Sequence, residues 1–307
     1  MIESATRGDP CSCLLWTSKS TYKIADELNK NQYRAGRKVV GRILKSLDYT
    51  LQSNKKTREG SGHVNRAEQF QYINEKTKAF QLQNKPVISV DTKKKENIGN
   101  YKNNGKEYRP KGNPREVEAY DFIDKNKGKV APYGIYDIAL NKGWVSVGIN
   151  NDTAEFAVNS IRSWWYEMGQ ENYSKASEIF INADGGGSNG YRIRLWKTEL
   201  QKLSNELNKS IHVSHFPPAT SKWNKIEHKM FCFISANWKA KPLIDRVTVV
   251  NLIANTKTKN GLTIKAQLDE NIYQKGIKIS DAELEKINIT RSDFHGEWNY
   301  AIHPQTN

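Results

Sequence analysis

Cysteine is nearly absent from this chain of 307 residues: Cys11, Cys13 and Cys232 are the whole supply. Three thiols cannot build a disulfide framework, and so low a number fits a reducing, intracellular setting. Cys11-x-Cys13 lacks the second ligand pair of a structural zinc site, so both read as incidental thiols. Long apolar runs are missing too, and no stretch reaches the roughly 18–20 residues that span a bilayer. The opening "MIESATRGDP" has no apolar core of the secretory-signal kind. Hydrophobic residues make up only 37 %, low for a globular protein, yet eight Trp require a core or a surface to stack on. At this length the chain accommodates one large domain, or a catalytic domain with a small appendage.

Acidic residues are also few. Thirty-three Asp and Glu stand against 48 Lys and Arg, leaving a net charge of +15. Such an excess points to a polyanionic partner, because Lys and Arg that neutralise phosphates release condensed counterions. Nucleic acid is the first candidate. An anionic membrane surface is the second, but no basic helix with a strong apolar face supports it.

Residues 1–60 carry 12 Lys and Arg against 6 Asp and Glu. Within them, "STYKIADELNKNQYRAGRKVVGRILKSLDY" splits into two helical periods around a turn containing Gly36. Ile24, Ala25 and Leu28 line the first; Val40, Ile43, Leu44 and Leu47 line the second. Arg37, Lys38, Arg42 and Lys45 decorate the second helix. This is the pattern of a helix-turn-helix DNA-binding segment over 1–52. An ordinary helical hairpin with a solvated basic face fits the same residues. "QSNKKTREGSGHVN" reads as a basic linker, and Phe70, Ile73, Thr77 and Phe80 share one stripe of a helix over 65–82; together they make a connecting region, 53–84.

From residue 85 the character changes. "KPVISVDTKKK", "KVAPYGIYDIAL" and "KGWVSVGIN" read as three strands, interrupted by the polar insertion "ENIGNYKNNGKEYRPKGNP". Asp152 with Glu155 makes a capping-box-like start for a helix over 153–168, with Ala157, Ile161, Trp164 and Met168 on one face. "EIFINAD" is a fourth strand, 191–208 a helix, "SIHVSHF" a fifth strand and "KWNKIEHKMFCFISANW" a third helix. The order β-β-β-α-β-α-β-α is that of a ribonuclease-H-like α/β domain over 85–240: a mixed five-stranded sheet with helices on both faces. After a helix over 244–255 the signals weaken, and 241–307 reads as a C-terminal extension packed on that domain.

"INADGGGSNGYRIRLW" contains G-x-G-x-x-G at Gly185, Gly187 and Gly190. A dinucleotide site would need an acid at the end of the next strand, and "SIHVSHF" ends in His215 and Phe216. The acids point elsewhere. Asp91 ends the first strand and Asp184 the fourth, which are spatial neighbours in this order. Two carboxylates brought together are tolerable chiefly with a cation between them, and oxygen-only ligands suit Mg²⁺ or Mn²⁺. Glu227 shares a helix face with Phe231, Ile234 and Trp238, which aims it at the sheet; a helix cap is the competing reading. Asp137 lies mid-strand, Asp152 reads as a cap, and Glu96 closes a Lys-rich turn. His215 and His228 flank the site in sequence, as substrate contacts or as structural histidines.

"VISVDTKKKE", "NADGGGSNG" and "HFPPATSKWNKIEH" together resemble the Rhodopirellula-type family of bacterial DDE transposases, which is similar to the mariner-like transposases. The likeness runs from "RGDPCSCLLWTSKST" to "DFHGEWNYAI". It implies Asp91, Asp184 and Glu227 as the catalytic, metal-binding triad, and Asn224 matches the "N-x-I-E" of relatives. It further implies two Mg²⁺ or Mn²⁺ ions, cleavage at the ends of an insertion sequence and strand transfer into target DNA. The implied partner is double-stranded DNA, held by a homo-oligomer in the cytoplasm, at the nucleoid. Lys93, Lys94 and Lys95, with Arg109, Lys111 and Lys222, are the expected backbone-phosphate contacts, with Asn224 beside them; Trp223 is either a base-stacking or a core residue. Gly185, Gly186 and Gly187 are expected to let the backbone turn beside the metals. Family members carry more chain upstream, whereas Met1 stands nine residues before "PCSC", which implies an N-terminally truncated copy. Two alternatives follow: a DNA-binding copy without autonomous activity, and a nuclease that cuts without joining.

Overall fold

The structure is a computed structural model and describes residues 6–8, 15–17, 20–52, 63–124 and 126–305. Cys11, Cys13 and most of the basic linker lie outside the described residues. The chain divides into two compact units, Met1–Arg58 and Glu59–Asn307.

In the first unit, β1 (Thr6–Gly8) and β2 (Leu15–Thr17) pair antiparallel. Helix α1 (Thr21–Lys30) follows, its N-terminus capped by the Ser20 hydroxyl, and then α2 (Arg37–Ser46). The turn between them is tied by Asn29, whose amide donates to the carbonyls of Ala25 at 2.7 Å and Ala35 at 2.8 Å. Ile24, Ala25 and Val40 form the small core, with Leu28, Ala35 and Leu44 against it. Ile43 and Leu47 do not join it; they are 48 % and 61 % exposed. One ten-residue helix offers a single seam, so a stripe four residues wide cannot be covered by it. Arg37, Lys38, Arg42 and Lys45 are all exposed on α2.

The second unit begins with α3 (Arg66–Leu82). Its sequence placed it with the linker, but it packs on the sheet: Gln69, Ile73, Thr77 and Phe80 are buried. The amides of Gln69 and Asn299 exchange hydrogen bonds at 2.9 and 2.8 Å. The strands are β3 (Val87–Thr92), β4 (Glu96–Asn97), β5 (Lys129–Asp137), β6 (Lys142–Gly148), β7 (Glu178–Ala183), β8 (Ser210–His215), β9 (Thr263–Asp269), β10 (Ile289–Arg291) and β11 (Asn299–Ile302).

At the centre the order is β8-β7-β3-β5-β6. β3, β5 and β6 form an antiparallel meander, β7 joins parallel to β3, and β8 joins parallel to β7. That is the ribonuclease-H-like arrangement expected. The sheet is larger than five strands, however. β9 adds parallel to β6, and β11, then β10, add antiparallel beyond β8. Residues 241–307 therefore supply both edges of the sheet as well as a helix packed on one of its faces. Two of these strands, β10 and β11, are only three and four residues long, too short for a period to show, whereas "TIKAQLD" does alternate, with Ile264, Ala266 and Leu268 on one face, a strand signal that sequence reading passed over.

Helix α4 (Ala154–Trp164) runs on through a π-helical turn, Trp165–Gly169, into α5 (Gln170–Asn172). With α6 (Arg194–Leu207) it covers one face of the sheet, burying Trp164 and Trp196 on Ile88, Val90, Tyr133 and Ile181. On the other face lie a π-helical turn, Glu227–Phe231, then α7 (Cys232–Asn237) and α8 (Arg246–Ala254), packed on Val145, Val147 and Ile264. A short α9 (Asp281–Glu285) carries a capping box between Ser280 and Glu283. Because successive strand residues face opposite sides, Ile88 and Val90 point to α4, leaving Ser89 and Asp91 toward Glu227. No helix among the described residues is long and apolar enough to cross a membrane.

Candidate active site

Asp91 occupies the fifth position of β3, and Asp184 follows directly on β7. The two strands run parallel and in register, Val90 beside Ala183, so the acids emerge side by side. They line one open cleft of about 730 Å³ together with Asp152, the Gly185–Gly187 loop and Arg192. Burial pushes the Asp91 carboxyl up to about 8, reinforced by the charges of Asp184, Glu227 and Asp152 and opposed by the Thr92 amide. Burial likewise raises Asp184 to about 6; a hydrogen bond from Asn224 opposes this, and the charge of Glu227 adds to it. Glu227 is raised by burial, against the charges of Lys93 and His228.

The third acid reaches the site because glycine lets its helix sit down on the sheet. Gly134 lies opposite Asp91 in the β3–β5 ladder. A Cβ there would stand 2.5 Å from the Phe231 ring and 2.7 Å from Met230 Cε. Phe231, Ile234 and Trp238 are buried as their spacing predicts, and Glu227, on the same face, is half-buried. It is not part of the cleft lining. Among the described residues no three His, Cys, Asp or Glu side chains close on one point tightly enough to hold an ion as they stand. The donor set nonetheless fits a hard divalent cation in kind: every donor is a carboxylate oxygen, and the acids resist ionising together in a way such a charge would relieve.

Several expected contacts fall elsewhere. Lys93 is buried, 3.5 Å from Glu96 and 4.3 Å above the Trp238 ring, so it balances acids inside the protein instead of facing solvent. Lys94 is exposed. Arg109 is also exposed, but bonds the Asn113 carbonyl at 3.0 Å and lies 3.6 Å from Glu107. Lys111 and Lys222 are exposed, and Trp223, beside the Ser221 of the cleft, is 51 % exposed and so not a core residue. Asn224 is fully buried, which removes it from any DNA surface. Its amide donates to Asp184 Oδ1 at 3.1 Å and to the Val90 carbonyl at 3.0 Å.

Asp152 is not the helix cap. Thr153 takes that role, its hydroxyl accepting the Phe156 amide at 3.3 Å. This frees the Asp152 carboxylate to accept from the Thr92 hydroxyl at 3.2 Å, with Lys95 at 3.8 Å. Asp137 is structural, accepting the Ala139 and Leu140 amides at 3.0 Å and the Tyr173 hydroxyl at 3.1 Å. His228 is exposed and bonds the Lys222 carbonyl.

His215 is fully buried, and its job is to hold Asp184 from behind. Nδ1 donates to the Asp184 carbonyl at 2.9 Å; Nε2 is 3.0 Å from the Tyr300 hydroxyl, which in turn accepts from Trp196 Nε1 at 2.9 Å. The tautomer is forced, since a carbonyl can only accept and the hydroxyl proton is left for Nε2. Burial pushes this imidazole down to about 4. In the loop after Asp184, Gly187 has φ +72°, the left-handed region, and a Cβ on Gly190 would crowd the Gly185 carbonyl at 3.2 Å. Sequence reasoning missed Ser89, Gly134 and Arg192; a lone polar residue inside "VISVD" was the one available signal.

The family described as Rhodopirellula transposase DDE domain matches residues 1–304. No curated protein matches the chain. Among the solved structures that resemble it are three at 12 % identity. The Mos1 transposase paired-end complex with the left transposon end has a TM-score of 0.42 over 76 % of this chain and 64 % of that one. The Mos1 strand transfer complex scores 0.44 over 76 % and 64 %. The Mos1 mariner paired-end complex with Mn scores 0.41 over 79 % and 71 %. The chain thus spans less than two thirds of the length of the first of these relatives.

Proposed function

The chain belongs to the Rhodopirellula transposase DDE-domain family, and from that premise we propose that it is a metal-dependent DNA transposase that cuts at the ends of an insertion sequence and joins those ends to target DNA. The observation that carries this reading is the pairing of Asp91 and Asp184 at the ends of adjacent parallel strands, in one open cleft. Asp91 and Asp184 would hold a first Mg²⁺ or Mn²⁺ ion, and Glu227 would complete the site for a second. When bound, such ions lower the pKa of an attacking water and stabilise the charge on the leaving 3′ oxygen.

The protein's own groups do the rest. The glycines of 185–187 keep side chains out of the approach to Asp184. Arg192, which lines the cleft, and the exposed Lys94 and Lys222, three residues after Asp91 and one after Ser221 of the cleft wall, suit phosphate oxygens and would position the strand without reading it. Arg37, Lys38, Arg42 and Lys45 on α2 are the basic face of the helix-turn-helix and would carry the sequence readout. Pairing of two DNA ends by a homo-oligomer belongs to the same proposal.

The test is a duplex carrying the element's ends, incubated with the purified protein and Mg²⁺ or Mn²⁺. Nicked ends and joined products are expected from the native protein, and bound but uncut DNA from Asp184→Asn. Full cleavage by Asp184→Asn removes that residue from the site. Nicking without joined products points to a nuclease, and binding without nicking to an inactive DNA-binding copy.

A further inference from the structure

Ser89 and Asn224 are both fully buried, 135 residues apart in sequence, and bonded to each other. Ser89 Oγ accepts the Ile226 amide at 3.1 Å, so its single proton is committed to Asn224 Oδ1. That fixes which way the Asn224 amide lies. Its oxygen faces Ser89, and its two N–H groups face the Val90 carbonyl and Asp184 Oδ1. A flipped amide would set its oxygen against the Val90 carbonyl and the Asp184 carboxylate, which can only accept, and would leave the Ser89 proton without its acceptor, so the orientation is set by chemistry.

This one pair therefore touches all three acid-bearing segments. Ser89 lies two residues before Asp91 on the same face of β3. Asn224 bonds the Asp184 carboxylate directly, and Ile226, held by Ser89, immediately precedes Glu227. We propose that Ser89 and Asn224 are the positioning residues of the acid site: Asn224 fixes the Asp184 carboxylate through Oδ1 and leaves Oδ2 for a cation, while Ser89 sets how deeply the Glu227 turn seats against β3. The inference rests on the reading of Asp91, Asp184 and Glu227 as cation ligands. A group that only filled space here would not need a donor aimed at a carboxylate. Partners of this kind orient metal ligands, and losing one costs about 10–100-fold in metal affinity.

The experiment measures Mn²⁺ binding by calorimetry and by electron paramagnetic resonance, with thermal unfolding in EDTA alongside, on the full chain. The variants are Asn224→Ala, Asn224→Asp, Ser89→Ala and Asp184→Asn. Asn224→Asp keeps the size and the acceptor for Ser89 but removes both donors. It and Asn224→Ala are expected to unfold cooperatively in EDTA and to bind Mn²⁺ about 10–100-fold more weakly. Ser89→Ala, which deletes one hydroxyl and no bulk, is expected to weaken binding in the same direction and keeps the test decisive if an Asn224 variant fails to fold. Folded variants with native Mn²⁺ affinity, whatever their melting temperature, overturn the inference. If Asp184→Asn also binds Mn²⁺ as the native protein does, the ligand reading itself falls; if Asp184→Asn alone loses it, only the positioning role does.

Discussion

Replacing Asp184 with Asn should make the metal-free protein more stable, and only at neutral pH. Asp184 titrates at about 6 in the folded chain against an ordinary 3.8, first because it is buried and also because Glu227 is near. A carboxyl raised in this way holds its proton longer when folded than when unfolded, so its contribution to stability is intact below about pH 4. It is lost as pH rises through the window from 3.8 to about 6 and does not return above it. A carboxyl raised from 3.8 to about 6 corresponds to at most ~3 kcal/mol. Asparagine removes the charge yet keeps an oxygen for the Asn224 amide, so the hydrogen bond survives. For a unit of this size, ~3 kcal/mol is a rise of about 6–10 °C in melting temperature. The assay is thermal unfolding in EDTA at pH 4 and pH 7.5, native protein against Asp184→Asn. The two should melt together at pH 4, and the variant should melt higher at pH 7.5. Adding Mn²⁺ at pH 7.5 should then raise the native protein and leave the variant nearly unmoved. A variant that is destabilised by the same amount at both pH values would refute the reasoning, because it would mean that Asp184 is held by packing and not strained by its charge.

Three further outcomes follow from the geometry. Tyr300→Phe removes the hydroxyl between His215 and Trp196, leaving two buried ring nitrogens without a partner, and should cost about 1–3 kcal/mol in chemical denaturation; a change within error would mean that the chain of bonds behind Asp184 is idle. Gly134→Ala puts a methyl group into Phe231 and Met230, so the Glu227 turn must lift from the sheet, at about 1–3 kcal/mol of stability and with a loss of strand cleavage in gel assays while the fold persists. Arg42→Ala with Lys45→Ala on α2 should weaken binding to duplex DNA and reduce the slope of log affinity against log salt by about 1 per residue that contacts phosphate; an unchanged slope would mean that this basic face is merely solvated.

The acids were legible in the sequence because each sits where a local pattern ends. "VISV" before Asp91 and "IFINA" before Asp184 are buried strands, and an acid closing such a run stands out without any tertiary knowledge. Glu227 was legible from its helical face, and Phe231, Ile234 and Trp238 are buried as that face requires. The period alone did not show that the first turn, Glu227–Phe231, is a π-helix. A widened turn re-aims the side chains at its start, and such turns recur at functional sites. The stripe over Ala157, Ile161, Trp164 and Met168 is likewise buried, with a π-helical turn at its end.

What holds the acids was not legible, for a physical reason that separates it from the acids themselves. Asn224 meets Asp184 across 40 residues and Ser89 across 135; His215 meets Tyr300 across 85. Hydrogen bonds between strands and helices so far apart leave no period and no spacing in the chain. Buried polar residues look the same in sequence whether they bind DNA or brace a carboxylate, which is why Asn224 and Lys93 read as DNA contacts until burial decided the matter. The edges of the sheet were hidden by a related effect. β10 and β11 are too short for a period to show, and β9 alternates over Ile264, Ala266 and Leu268 but joins β6 from more than a hundred residues away, so nothing near it in the chain marks its place in the sheet. Yet β11 carries Tyr300, whose hydroxyl reaches Asp184 through His215. The five central strands bring the two aspartates together, but the His215 that holds the carbonyl of one is itself held by Tyr300 from a strand outside those five, and so the added edge belongs to the site as much as to the fold.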